Sequence, residues 1–164
     1  MTVDKPSCTC CGGSAAPAAM AACPACGATG RPVQSATLKA LLPPGLAATL
    51  GEEPWRFCES PACAVVYFDP ESRRTFPKSQ VTVRVGIKET AAPRPLCYCF
   101  GHSLESLQAE WEATGRMDSV AAVRAAVKEG HCRCDQANPS GACCLGDLLK
   151  AAQQIASAPR PGRV

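Results

Sequence analysis

Trp55-Arg56-Phe57-Cys58-Glu59-Ser60-Pro61-Ala62-Cys63-Ala64-Val65-Val66-Tyr67-Phe68 sets two cysteines, four residues apart, between two runs of aromatic and β-branched residues. Such runs predict short strands at Trp55 to Cys58 and Ala64 to Phe68, with Pro61 bending the loop between them. Upstream, Cys23-Pro24-Ala25-Cys26 is followed by Gly27. Two thiolates separated by two residues can reach the same tetrahedral ion, and the glycine relieves the turn. The combined pattern C-x2-C…C-x4-C makes Cys23, Cys26, Cys58 and Cys63 a candidate four-thiolate zinc set. A redox dithiol would need a thioredoxin-like βαβ context, which the surrounding residues lack.

Further along, Val81, Val83 and Val85 alternate with polar residues and predict a third antiparallel strand with one buried face. Ahead of the strands, Thr37 to Leu42 and Gly45 to Leu50 read as short helical turns flanking Pro43-Pro44. Ala91-Ala92-Pro93-Arg94-Pro95 is a stiff connector, and the residues beyond it read as helical. Ser103 is placed to cap a helix ending at Thr114 before Gly115, with Leu104, Leu107 and Trp111 on one face. Asp118 is expected to cap a second helix through Val120, Val123 and Val127 to Gly130. A third begins near Cys144 and carries Leu145, Leu148, Leu149 and Ile155. The expected fold is therefore α+β, a small β-rich zinc-binding subdomain at 23–90 followed by a helical subdomain at 91–157. Residues 1–22 read as a flexible Cys/Ala/Gly leader and 158–164 as a disordered Pro/Arg tail.

Composition supports metal sites as structural staples. Only 5% of the 164 residues are aromatic, and alanine supplies much of the 46% hydrophobic content while burying little area per residue. Closing four ligands on a metal would supply folding energy that such a core lacks. The thirteen cysteines are odd in number, so they cannot all pair as disulfides. The start, MTVDKPSCTCCGG, has no apolar run of the kind that export requires, and no stretch approaches a membrane span. The expectation is a cytoplasmic protein, without membrane insertion, whose thiols stay reduced and available as ligands. The formal charge of +3 falls to about −1 if two four-thiolate sites each add about −2, so charge gives nucleic-acid binding no support.

Beyond the connector, Cys97-Tyr98-Cys99 precedes the Ser103 helix, and Cys143 and Cys144 announce the last one. Helix N-termini present free amides to cluster sulfurs and favour negative charge, which suits a reducible iron–sulfur centre. A third ligand must come from Cys132 or Cys134, and the loop Asn138-Pro139-Ser140-Gly141 returns the chain toward Cys144. Four thiolates around two irons can thus be assembled.

The stretches Cys97-Tyr-Cys-Phe-Gly-His102 and Asn138-Pro-Ser-Gly-Ala-Cys-Cys144 resemble the N-terminal domain of CopZ-type copper chaperones, whose cluster half is similar to bacterioferritin-associated ferredoxin. Phe57-Cys58…Cys63-Ala-Val-Val-Tyr-Phe68 and Val83-Arg-Val-Gly-Ile-Lys-Glu89 resemble the zinc half of the same domain. The resemblance implies zinc at Cys23, Cys26, Cys58 and Cys63, and a 2Fe-2S cluster at Cys97, Cys99, Cys134 and Cys144. Cys132 and Cys143 are the alternates. Ferredoxin-like relatives end in C-x-x-C, whereas nine residues separate Cys134 from Cys144. Family members also continue into a copper-binding domain with its own C-x-x-C, so delivery of copper by that route is not expected of a chain ending at Val164.

The implied role is a redox protein of soft-metal homeostasis, with an electron donor and a copper-handling or other soft-metal protein as partners. A metal-stabilised interaction module and a thiol-rich buffer are the alternatives. Cys8, Cys10 and Cys11 form a C-x-C-C candidate for copper(I) or mercury(II). His102 and His131 flank the cluster cysteines and are candidates to sit behind the ligands. Arg73, Arg74, Lys78, Arg84, Lys88 and Arg94 read as a solvated strand face, with docking of an acidic partner as the second reading. No Ser/His/Asp or Cys/His arrangement singles out a catalytic residue.

Overall fold

The computed structural model describes residues 21–158. Its architecture is α+β: a small antiparallel sheet with two short helices, followed by a two-stranded hairpin and four further helices. Cys8, Cys10 and Cys11 lie outside the described residues.

The chain enters through β1 (Gly30–Pro32), then α1 (Ser35–Leu41) and α2 (Pro44–Ala47), where Pro44 opens the helix as its fixed φ favours. β2 (Arg56–Cys58), β3 (Val65–Phe68) and β4 (Thr75–Pro77) complete a four-stranded sheet of order β1-β2-β3-β4. Every pairing is antiparallel, and Gly30 stands opposite Cys58. A side chain at Gly30 would run into the Phe68 ring, its Cβ 2.4 Å from the nearest ring carbon.

Val65 to Phe68 is buried along its whole length, so β3 has no solvent face. Val66 and Tyr67 belong to one cluster, with Leu38, Leu42, Trp55, Phe57, Phe76 and Val85. Val65 and Phe68 pack instead with Cys23, Cys58 and Cys63. Large aromatic side chains held this way contribute about 2 to 3 kcal/mol each. Trp55, Tyr67 and Phe68 are the core residues their aromatic character suggests, while Trp111 is half-buried.

The expected strand at Val81 to Val85 does not form. These residues follow a 3₁₀ turn, Lys78–Gln80, and lead into another, Gly86–Lys88. Thr82 donates through both its backbone N and its Oγ1 to the carbonyl of Leu41, so the segment crosses the end of α1 and pairs with no strand. The edge next to β3 is taken by β4, which alternation did not reveal. Val85 is nonetheless buried as its apolar character demands.

β5 (Pro95–Cys97) and β6 (His102–Ser103) form the hairpin, with Cys97 opposite His102. α3 (Leu104–Thr114) begins with a reciprocal capping box between Ser103 and Ser106 and stops at Gly115 in the left-handed region, as the sequence indicates. α4 (Asp118–Lys128) is capped by Met117; Asp118 is its first helical residue, and its carboxylate pairs with Arg116 instead of closing the helix end. A short α5 (Cys134–Ala137), which the sequence did not predict, precedes α6 (Leu145–Ser157), for which Cys144 is the N-cap. Leu107, Val120, Val123, Leu148 and Ala151 form the core between these helices, together with Cys97, Cys134 and Cys144.

The two halves are tied directly. α1 packs on α5, and Thr37 Oγ1 donates to the Asp135 carbonyl at 2.6 Å. The buried Tyr67 hydroxyl donates to the Pro139 carbonyl at 2.8 Å.

Candidate metal centres

The first cysteine pair sits in a turn closed by backbone bonds from Cys23 N to Ala28 O and from Gly27 N to Cys23 O, both 2.8 Å. Gly27 adopts φ +73, which its missing side chain permits. Because β1 lies beside β2, this turn is carried to the end of β2, where Cys58 sits, and Cys63 enters β3 next door. Cys23 and Cys63 sulfurs are 4.0 Å apart, and Cys26 and Cys58 sulfurs 3.6 Å. All four lie within 4.8 Å of one another. A tetrahedral ion bonded to sulfur at about 2.3 Å holds its ligands about 3.8 Å apart, so the donor set and its size fit zinc.

Backbone amides converge on the same sulfurs. A hydrogen bond from Ala28 holds the Cys26 thiol down to about 7. Burial pushes Cys58 up to about 12 and raises Cys63, opposed by backbone bonds at Ser60 and Val65 respectively. Lys88 adds a fixed positive charge that favours the Cys58 thiolate. Its side chain is buried, 6% exposed, and Nζ donates to the carbonyls of Ser60 at 2.7 Å and Cys63 at 3.2 Å. Lys88 thus braces the loop between the two ligands, correcting its reading as part of a solvated strand face. Nothing in the local sequence distinguishes it from its basic neighbours.

Those neighbours are also engaged. Lys78 and Arg84 both pair with Glu89, and Arg94 pairs with Glu105. Arg74 lies over the Trp55 and Phe76 rings. Arg73 is exposed, with φ 60.

The second set is assembled by the hairpin, α5 and the start of α6. Cys99 and Cys134 sulfurs are 3.6 Å apart, and those of Cys134 and Cys144 are 3.8 Å apart. Among the described residues, this set does not close to within the mutual 4.8 Å of the first. A more open set suits two bridged metals, which take two thiolates each, better than one ion. The Arg133 backbone N donates to Cys99 Sγ at 3.1 Å, and backbone amides of Phe100 and Cys99 serve Cys97. With thiols free, hydrogen bonding with Cys144 holds Cys134 down to about 6 and Cys97 down to about 7. Cys144, between those two sulfurs, is pushed far up, and burial pushes Cys99 up to about 12.

Cys132 and Cys143 are half-buried at the margin of this set, and Cys143 hydrogen-bonds to Cys134. His102 is half-buried on β6, whereas His131 is exposed beside Glu129 at 3.5 Å. Sequence reasoning missed Tyr98, between Cys97 and Cys99. Its hydroxyl accepts from Gly86 N at 2.8 Å and donates to Arg84 O at 3.0 Å, fixing the cysteine loop to the preceding segment. Gly86 also lets the backbone of β5 come close: a Cβ there would meet the Pro95 carbonyl oxygen at 1.8 Å.

An α+β chain that gathers four cysteine sulfurs around one point at the end of a small sheet defines a metal-binding protein of the four-thiolate class. The CopZ-type zinc-binding domain family matches residues 20–82. Copper chaperone CopZ of Archaeoglobus fulgidus is 35% identical over 88 residues, covering 54% of this chain and 41% of that protein. The chain thus spans about two-fifths of the length of that curated relative. The X-ray structure of the Archaeoglobus fulgidus CopZ N-terminal domain matches with a TM-score of 0.66 and 32% identity, covering 79% of this chain and 95% of that one. The chain belongs to the CopZ family, and its N-terminal part is the family's zinc-binding domain. Among the described residues no helix is long and apolar enough to cross a membrane.

Proposed function

We propose that this chain is a zinc- and 2Fe-2S-binding redox protein of copper homeostasis, acting in the reducing cytoplasm. It takes single electrons from a donor protein and passes them to copper(II) or to a copper-handling partner. The observation that carries this reading is the contrast between two cysteine sets. One gathers within 4.8 Å around a single point and the other does not close to that spacing, while backbone amides reach sulfurs of both. In this reading Cys23, Cys26, Cys58 and Cys63 hold zinc, which is redox-inert and structural. Cys97, Cys99, Cys134 and Cys144 hold the cluster, which supplies one-electron chemistry when bound.

The remaining work falls to the chain. The amide of Arg133 stabilises negative charge at Cys99, and the clamp on Tyr98 keeps Cys97 and Cys99 at a fixed separation. The units 23–90 and 91–157 then act as a zinc-stapled platform and a redox half that rests on it. The chain's likeness to a protein named a copper chaperone favours copper as the metal served.

Anaerobic purification with iron and sulfide supplied, followed by metal analysis and visible and paramagnetic resonance spectra, tests this. The expected result is one zinc and two irons per chain, with a dithionite-reduced signal that copper(II) rapidly abolishes as copper(I) accumulates. An iron-free, colourless protein overturns the reading. A cluster that dithionite cannot reduce leaves an interaction module stapled by metals, and extra bound copper without redox chemistry leaves a thiol buffer.

A further inference from the structure

α4 and α6 lie side by side, and the surface between them is an apolar groove of about 760 Å³. Met117, Val127, Leu145 and Leu149 line it, and its charged lining residues are Arg124 and Lys128. No carboxylate contributes to the lining. Several cations elsewhere on the fold are matched: Arg31 pairs with Glu59, Arg84 with Glu89, Arg94 with Glu105 and Arg116 with Asp118. Among the described residues Arg124 and Lys128 enter no ion pair, although both are exposed. The groove is also next to the second cysteine set, since Leu145 directly follows the buried Cys144.

We propose that this groove docks an electron-donor protein whose contact patch has an apolar centre and a carboxylate rim. The inference rests on the proposed redox function and names the partner class for that site. An apolar floor excludes water at the centre of the contact, and two unpaired cations at its edge select an acidic partner and raise the encounter rate. A small, weak interface of this kind suits a donor that must leave after each electron. The donor loses one electron and the bound cluster gains it, with no bond made or broken. Seated on Leu145, the donor is one residue from a cluster ligand, which shortens the path through an otherwise buried Cys144.

The test uses the full chain with its metals and, as probe, a reduced acidic plant-type 2Fe-2S ferredoxin, followed by stopped-flow absorbance without oxygen. Arg124→Glu with Lys128→Glu should lower the second-order rate constant about tenfold at low salt. The wild-type rate should fall as salt rises, while dithionite reduction and the visible spectrum stay the same in both proteins. The milder Arg124→Gln with Lys128→Gln pair should lie between them, which guards against misfolding of the reversed variant. A coloured, dithionite-reducible protein whose ferredoxin rate ignores both variants and salt overturns the docking site alone. A wild-type dimer in sedimentation that Leu149→Glu splits also overturns it, since a second copy then fills the groove. A colourless, iron-free protein removes the redox reading and the docking proposal with it.

Discussion

Lys88 shows how one side chain turns a loop into a rigid ligand holder. A buried ammonium is costly unless its donors are used, and here two of them cap the Ser60 and Cys63 carbonyls beside the sulfur set. Its charge also offsets part of the −2 that four thiolates on a dipositive ion carry. Lys88→Met keeps most of the apolar stem but leaves both carbonyls without that donor. The expected loss is about 1 to 3 kcal/mol in a denaturant titration, with faster transfer of zinc to a chromophoric chelator. Unchanged transfer kinetics would mean that Lys88 only fills space. The candidate ligand cysteines were legible because their spacing repeats a metal-binding pattern, whereas nothing around Lys88 in the sequence sets it apart from the other basic residues. Tyr98 was hidden for the same reason: its value lies in the backbone of Arg84 and Gly86, twelve or more residues earlier.

At the scale of elements, local signals read well where a helix defines itself. Ser103 and Ser106 satisfy each other's backbone N–H groups at the start of α3, and Gly115 ends it. Ser103→Ala should therefore cost about 1 kcal/mol, seen as a lower unfolding midpoint. Because β6 ends at this residue, hydrogen exchange should also quicken in the Cys97–Ser103 hairpin. Strands were harder. β1 is Gly-Arg-Pro, too short and too irregular to display alternation, and β4 contains Pro77. Both exist because β2 and β3, whose sequences do show strand character, present edges that these segments fill. Val81 to Val85 had the better alternation but found no edge, since Thr82 was already bonded to the end of α1. α5 escaped notice because four residues give no helical period, and its helix is held by contact with α1.

For the whole molecule, the contacts of α1 with α5 and of Tyr67 with Pro139 make the zinc-binding half part of the support for the second cysteine set. Removing zinc with a strong chelator should lower the thermal midpoint of the entire chain and loosen amides around Cys134 as well as those around Cys23. Exchange confined to residues near the first set would contradict that coupling. Zinc release should be favoured by acid. Binding displaces protons from thiols, Cys58 and Cys63 being raised by burial, so affinity falls as pH falls. A chelator competition that holds flat from pH 8 to 6 would rule out a thiolate site.

Cysteine spacing, the strand-like runs and the apolar faces of the later helices indicated the α+β class and the first candidate ligand set, whereas the third and fourth members of the second set, open between Cys132 and Cys134 and between Cys143 and Cys144, came from the family resemblance. Family membership confirmed the zinc-binding domain in the first half. Only the tertiary structure decided which sulfurs approach one another, which lysine is buried against them and how the halves lock together. Those outcomes depend on residues far apart in the chain being brought within about 3 to 4 Å, a distance at which hydrogen bonds and metal ligation operate and which no local pattern encodes.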